Sequence, residues 1–433
     1  QRRYARRIQS EVRDIAADFP KPLKGKAKRE KLESDESLVR HFETCYPNAF
    51  PLAWSPDHLR LIRDIERAAD VGLLKALAMP RGSGKTTIMV RAGLWALLTG
   101  RARYVCIVAA TEVAARALLK GIKSEITFNA KLQALYGREL HSFIALEDQP
   151  RRCGGQTFKN KKTKVEWLTD RLAFGQIPNV KTSGAVLTTA GITGSIRGQQ
   201  STTPTGEIIR PDLCLIDDPQ TKESAGSETQ CKSRHETMMG DILGMAGPGS
   251  VMSAVCSCTV IYQGDLAARL LDRELSPEWQ GDKCQMVNRW PDNEDIWDQY
   301  ATIRAEELTQ GGDGTAATAF YVENREEMDR GGEVSWEERK GNAESALQYA
   351  YNLRLRDEPA FMAEYQNDPL TEGDESPYDL NAEKIARRTV EISRLNVPAE
   401  AEAITAFVDV KKELLFYVVM SWTSKGRGFV MDY

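Results

Sequence analysis

No apolar run in this chain is long enough to cross a membrane, and no signal-peptide pattern is present. Disulfide and zinc frameworks are missing too. The 8 cysteines are scattered, none forms CxxC, and only Cys256 and Cys258 lie close, as CxC inside an apparent strand. That usage suits reduced thiols in a cytoplasm. The 4 histidines, His41, His58, His141 and His235, show no HxxxH or other ligand spacing, so no histidine metal site is expected. An excess of one charge is also lacking. With 58 Lys and Arg against 62 Asp and Glu, the net charge is -4, and nothing global points to nucleic acid. The 433 residues suffice for two or three domains. The chain starts at Gln1 rather than Met and ends inside an apolar strand pattern at Tyr433, so a piece of a longer protein is expected.

What is present begins with "LLKALAMPRGSGKTTIMVRAG", Leu73 to Gly93. Leu73 to Met79 reads as a short buried strand interrupted only by Lys75. Pro80 stops strand pairing because it has no N–H. Gly82 and Gly84 let the backbone turn tightly around an anion, and the helix opening at Thr86 points its positive end at the same place. This is a P-loop: Pro80, Arg81, Gly82, Ser83, Gly84, Lys85, Thr86 and Thr87 form the phosphate cradle. Lys85 reaches the β- and γ-phosphates of ATP, and Thr86 ligates Mg²⁺. The match is MxxxxGKT, with Met79 where the usual pattern has Gly. The competing reading is a chance Gly/Ser turn before a helix.

A P-loop needs a carboxylate at the end of a neighbouring strand. "PDLCLIDDPQ", Pro211 to Gln220, supplies an apolar strand over Leu213 to Ile216 with Asp217 at its C-terminal end. Asp217 is the expected Mg²⁺ partner and Asp218 the expected catalytic base. Asp is one methylene shorter than the Glu common at that place. The bland alternative is a strand followed by an acidic Asp-Pro turn.

Elsewhere, strands alternate with helices, which implies an α/β fold with a mainly parallel sheet. Ser55 and Pro56 open a helix, Tyr104 to Ala109 reads as a strand, and Thr111 caps the next helix. "KNKKTKVEWLTDRLAFG" reads as a basic hairpin or insertion at the surface. "VMSAVCSCTVI" reads as a strand ending at Thr259, with a helix starting in "QGDLAARLL". Gln1 to Glu33 is basic: its first half suits a helix and its second half a linker, and the run either touches DNA phosphates or is a solvated arm. Asp292 to Gly341 is acidic and Gly-broken with weak periodicity, and helix returns in "SALQYAYNLRLRDEPAFMAEYQNDPL". Residues 372–402 read as charged linker plus a helix. Beyond them, Ala406 to Asp409, Leu414 to Trp422 and a third strand after Ser424 to Gly428 form an antiparallel meander that opens a new domain.

The ordered set "MPRGSGKTT", "SIRGQQ", "LCLIDDPQ", "CTVIYQGDLAARL", "FMAEYQNDPL" and "AFVDVKKELLFYVVMSW" resembles the large terminase subunit of tailed phages and prophages, from about Phe50 onward. The resemblance implies a DNA-packaging motor with a P-loop ASCE-type ATPase domain followed by an RNase H-like α/β nuclease domain. The expected layout is a basic arm at 1–45, an ATPase core at 46–290, a helical and linker region completing it at 291–400, and the first nuclease strands at 401–433. By position, Arg81 matches a Walker A arginine that senses the γ-phosphate, and Asp217 matches the Walker B aspartate. Asp218 stands at the catalytic acid, usually Glu. Thr259 falls in the coupling motif. Arg197 is a candidate arginine finger, or else an ordinary surface arginine. Trp54 to His58 lies where the adenine-contacting motif falls, without its Gln. Asp409 matches a nuclease metal ligand for Mg²⁺ or Mn²⁺. A two-metal site needs further carboxylates, so this chain is expected to hydrolyse ATP and not to cut DNA. The implied partners are duplex DNA gripped by its phosphates, a small terminase subunit, a portal protein and further copies in a ring, in the cytoplasm of a bacterial host, with no membrane. Two other readings remain: a helicase-like remodelling ATPase, which calls for two similar halves, and a non-catalytic nucleotide-gated scaffold.

Overall fold

A computed structural model describes residues 13–194, 196, 198–202, 206–247, 252–370, 393–411, 414–424 and 427–433. The chain divides into two units, residues 1–371 and 372–433.

The first unit is built on one 8-stranded sheet. Its strands are Leu74–Ala78 (β1), Tyr104–Ala109 (β2), Glu166–Trp167 (β3), Arg171–Ala173 (β4), Val186–Gly191 (β5), Leu213–Asp217 (β6), Ser253–Cys258 (β7) and Asp282–Lys283 (β8). The order is β8-β1-β7-β6-β2-β5-β4-β3. The six strands from β8 to β5 run parallel, and β4 and β3 complete the far edge antiparallel. Pro56–Val71 (α1), Lys85–Thr99 (α2), Glu112–Phe128 (α3) and Leu266–Leu271 (α4) pack on the sheet. Helix starts follow local chemistry: Ser55 Oγ accepts the His58 N–H at 3.2 Å, Thr111 Oγ1 accepts from Ala114, and Asp265 Oδ1 accepts from Ala268.

Side chains alternate across a strand, and here the two faces differ in size. Leu77, Val105, Ile107, Leu213, Leu215 and Val255 face the core under α1, α2 and α3. Ala76, Ala78, Cys106, Cys214, Cys256 and Cys258 face the other, with Met238, Ile242 and Leu266. Cys256 and Cys258 therefore share a face because of strand period, and all eight cysteines are free thiols. Helix α2 comes close to the sheet at Gly93, where a Cβ would meet Leu215, Ile107 and Val105 at 3.3–3.4 Å.

One expectation needs correction. A helix at Gly25–Glu36 replaces most of the expected linker. Its buried residues are polar, Ser34 and Asp35, so it shows no apolar period. Ser34 Oγ lies 2.9 Å from the Tyr136 hydroxyl, its carbonyl accepts from Trp95 Nε1 at 3.0 Å, and Lys31 pairs with Asp35 one turn on. The acidic stretch after Asp292 holds two well-formed helices, Glu294–Thr309 (α5) and Thr315–Glu323 (α6). With Ala346–Arg356 (α7) and Glu358–Glu364 (α8) they enclose a separate core of Trp297, Tyr300, Tyr321, Tyr351 and Phe361. The buried residues of α5, Ile296, Trp297 and Tyr300, lie in its first half, so no period is sustained. The basic hairpin is present: Gln156–Phe158 pairs antiparallel with Lys161–Lys162, and Asp14 accepts the N–H groups of Lys159 and Asn160 at the turn.

The second unit contains an antiparallel meander of Ala403–Val410 (β9), Leu415–Trp422 (β10) and Gly428–Asp432 (β11). Of the charged segment expected at 372–402, residues 372–392 lie outside the described residues.

Candidate functional site

The site lies where β1, β7 and β6 end side by side. After β1, Met79 still pairs with β7 by donating its N–H to Cys258 O at 3.0 Å. The chain then leaves the sheet through Pro80. Gly82 and Gly84 take φ of 74° and 78°, the left-handed region that glycine enters without strain. Gly84 is the N-cap of α2, so the helix opens on the loop. Met79 needs no left-handed φ and is 1% exposed in the core. Its carbonyl accepts from Lys85 Nζ at 3.3 Å. Glycine's freedom is not required at this position.

The strand ends meet around α2. Thr86 Oγ1 donates to Asp217 Oδ1 at 3.0 Å, and Ser257 Oγ approaches the same oxygen at 3.4 Å. Lys85 Nζ bonds Thr259 Oγ1 and lies 3.7 Å from Asp218 Oδ2, to which Thr259 also donates. Asp218 has φ 43°, a left-handed conformation that Asp tolerates better than most residues. Burial pushes the Asp217 carboxyl up to about 6, and the neighbouring Asp218 charge adds to this against Thr86 and Lys85. Burial also raises Asp218, opposed by Lys85. In both, desolvation disfavours the ionised form.

A magnesium ion takes hard oxygen ligands, usually one or two from protein and the rest from phosphate and water. Thr86 and Asp217 supply two such oxygens side by side. Asp218 Oδ1 and Ser83 Oγ are buried with no hydrogen-bond partner, as expected of groups that await a ligand. The residues fit a phosphate-bound Mg²⁺. Among the described residues no group of three or more His, Cys, Asp and Glu side chains forms a self-sufficient metal site.

Beside the loop is a cavity of about 140 Å³ lined by Phe50, Trp54, His58, Thr87, Ile88 and Trp336, with Gly82 to Gly84 as its floor. The Ser55 N–H donates to His58 Nδ1, so Nε2 carries the proton and donates to Ser83 O at 2.7 Å. Burial holds His58 below the usual histidine range, which keeps the ring neutral. Trp336 Nε1 donates to Ala53 O at 2.8 Å and its ring meets His58 edge to face. The cavity is lined by aromatic side chains, which suits a flat base. A larger cavity of about 730 Å³ lies elsewhere, beside Lys21, Lys28 and Arg138, and its Asp35 is already paired with Lys31 and Lys181.

Of the expected site residues, the structure brings Lys85, Thr86, Asp217, Asp218 and Thr259 together, with Thr87 and Trp54 to His58 beside them. Arg81 is turned to Glu364: the guanidinium donates to its carboxylate at 2.5 Å and the Arg81 N–H to its carbonyl at 2.7 Å. Arg197 lies outside the described residues. Asp409 is on β9 in the second unit, where its carboxylate pairs with Lys411 at 3.0 Å.

Sequence reasoning missed several supports. Gln220 donates to Thr259 O at 2.9 Å and to Asp265 Oδ2 at 2.7 Å, which ties the end of β7 to the start of α4. Arg234, buried, donates to Pro219 O at 2.5 Å and holds the turn after Asp218. Gln220 ends the quoted "PDLCLIDDPQ" stretch; Arg234 gave no local signal. Comparison with known proteins finds no matching family model and no matching curated protein.

Proposed function

We propose that this chain is a P-loop ATPase, the motor subunit of a DNA-packaging terminase. The contact between Thr86 and Asp217 carries the ATPase reading. It joins a hydroxyl in the first turn of α2 to a carboxylate at the end of β6, beside a buried lysine, at the carboxyl edge of a parallel sheet. The position of β7 between β1 and β6 supports the additional-strand class of P-loop ATPase. That arrangement puts Thr259 between the phosphate loop and the Asp217–Asp218 pair.

The chain's own groups divide the work. The loop N–H groups and the start of α2 bind the β- and γ-phosphates. Lys85 exchanges Thr259 and Asp218 for phosphate oxygens. Mg²⁺ held by Thr86 and Asp217 would neutralise charge on the phosphates. Asp218 orients the attacking water and accepts its proton, helped by burial, which raises its carboxyl above the ordinary range. Thr259, released by Lys85, passes the change to α4 through Gln220 and Asp265. The Phe50, Trp54 and Trp336 cavity takes the adenine. A buried, satisfied Met79 weighs against the scaffold reading, which needs a degraded loop.

The motor assignment rests on the ordered motifs that resemble large terminase subunits. With it come duplex DNA, a small subunit, a portal protein and a ring of copies as partners, and the host cytoplasm as the place. The helicase alternative calls for two similar halves, and the described residues hold one large parallel sheet. The test is Mg²⁺-dependent ATP turnover, with and without duplex DNA. Lys85→Ala should abolish it, and unchanged turnover in that variant would end the ATPase reading.

A further inference from the structure

The phosphate loop is held from outside the sheet by two residues of the region with its own aromatic core. Glu364, the last residue of α8, takes Arg81 by main chain and side chain together. Arg339 donates to the Arg81 carbonyl while its guanidinium covers the Tyr365 ring at 5.1 Å. Its terminal nitrogen would lie 3.3 Å from a Cβ at Gly82. The turn that carries Glu364 is fixed. Tyr365 O accepts from Met286 at 2.9 Å. Asn367, 2% exposed, accepts the Val260 N–H at 2.9 Å and donates to Cys284 O at 2.8 Å. One short turn thus grips both the loop after β1 and the strand end after β7.

A carboxylate offers a guanidinium the same charge and fork geometry as a phosphate oxygen pair. The Arg81 side chain is 66% exposed at the mouth of the loop, whereas Glu364 is 22% exposed. Arg81 is therefore the partner free to turn, and Glu364 is the one held still. Hydrogen bonding to Glu364 also strengthens the hold of Arg81 on its proton.

We propose that Glu364 competes with the nucleotide for Arg81, so that the triphosphate must take Arg81 from Glu364 as it enters the loop. This rests on the ATPase reading and adds a positioning residue to it. It also makes occupancy of the loop and docking of the Glu364–Asn367 turn mutually dependent, because coupling between two binding events is reciprocal. Release of phosphate returns Arg81 to Glu364, and α8 with the helices packed on it feels the change.

The test is calorimetric titration with Mg²⁺ and adenylyl imidodiphosphate on the full chain. Glu364→Gln keeps the main-chain contact and the side-chain shape but loses the charge. It should tighten binding about two- to fivefold, the span of a largely exposed ion pair. Glu364→Asp, which shortens the reach, should tighten it in the same direction and serves if the first variant folds poorly. In an Arg81→Ala background, Glu364→Gln should change nothing. Unchanged or weaker binding in both Glu364 variants, or equal tightening without Arg81, would overturn the proposal. If the wild type takes up no nucleotide, the ATPase reading falls with it. If the wild type binds, Lys85→Ala does not, and the Glu364 variants match the wild type, the competitor alone falls.

Discussion

Asn in place of Asp217 should make this protein more stable and inactive. The substitution keeps the side-chain outline and the oxygen that accepts from Thr86, and it removes a buried charge. In the metal-free fold the carboxyl titrates at about 6 instead of 3.8 because it is buried. A raised native pKa means that the fold holds this proton more tightly than the unfolded chain does. The contribution is favourable below about pH 4 and is lost as pH rises through about 6. Above that, ionised Asp217 opposes folding by about 3 kcal/mol, from a pKa of about 6 against 3.8. Asn carries no such cost. Urea unfolding of wild type and Asp217→Asn in EDTA, followed by tryptophan fluorescence, should give a variant more stable by up to about 3 kcal/mol at about pH 8. The difference should shrink toward zero near pH 4. With Mg²⁺ and a nonhydrolysable nucleotide the order should reverse, since a ligand stabilises only the protein that binds it. A variant less stable than wild type at high pH without metal, or a difference that ignores pH, would refute the reasoning.

Asp218→Asn should keep nucleotide binding and lower turnover by a factor on the order of 100 or more, as loss of a general base does; a single-turnover measurement separates the two effects. Trp54→Ala should weaken nucleotide binding by about 1 kcal/mol or more through lost stacking on the base, read as a higher KM at unchanged kcat. The chain should leave supercoiled plasmid intact with Mg²⁺ or Mn²⁺, because a two-metal nuclease needs several converging carboxylates and Asp409 is paired with Lys411; cleavage abolished by Asp409→Ala would contradict this.

The parts of the site that could be read from sequence are those whose chemistry is contiguous. Lys85 and Thr86 follow the Gly-rich turn, and Asp217 and Asp218 end an apolar run. Each stretch contains both its element and its functional group. The groups that hold the loop could not be read so. Arg81 and Glu364 are 283 residues apart, as are Ala53 and Trp336. Glu364 lies in the quoted "FMAEYQNDPL", but nothing in that stretch points to Arg81, and Trp336 does not differ locally from an ordinary surface residue. The helix at Gly25–Glu36 was hidden for a related reason. It is anchored by Ser34 and Asp35, so its burial is polar and leaves no periodic apolar mark. Met79 shows the opposite case, a local departure without consequence, because its backbone never needs the conformation that glycine supplies.

If the site takes a nucleotide as proposed, its charges should favour metal-bound over metal-free triphosphate. Lys85 is within 3.7 Å of Asp218 and bonded to Thr259, and Thr86 is bonded to Asp217. The lysine is thus already matched by a carboxylate. A triphosphate arriving without metal meets two aspartates beside the one lysine, in a region where burial strengthens every charge interaction. Arriving with Mg²⁺, it brings the charge that Asp217 lacks and releases Lys85 for the phosphates. ATP in EDTA should therefore bind at least about tenfold more weakly than Mg²⁺ and ATP together, a gap of about 1.4 kcal/mol. Asp217→Asn should narrow that gap from both sides, since it removes the repulsion toward free ATP and the anchor for the metal. Titration of both proteins under both conditions decides it, and equal gaps in wild type and variant would show that Asp217 does not face the phosphates.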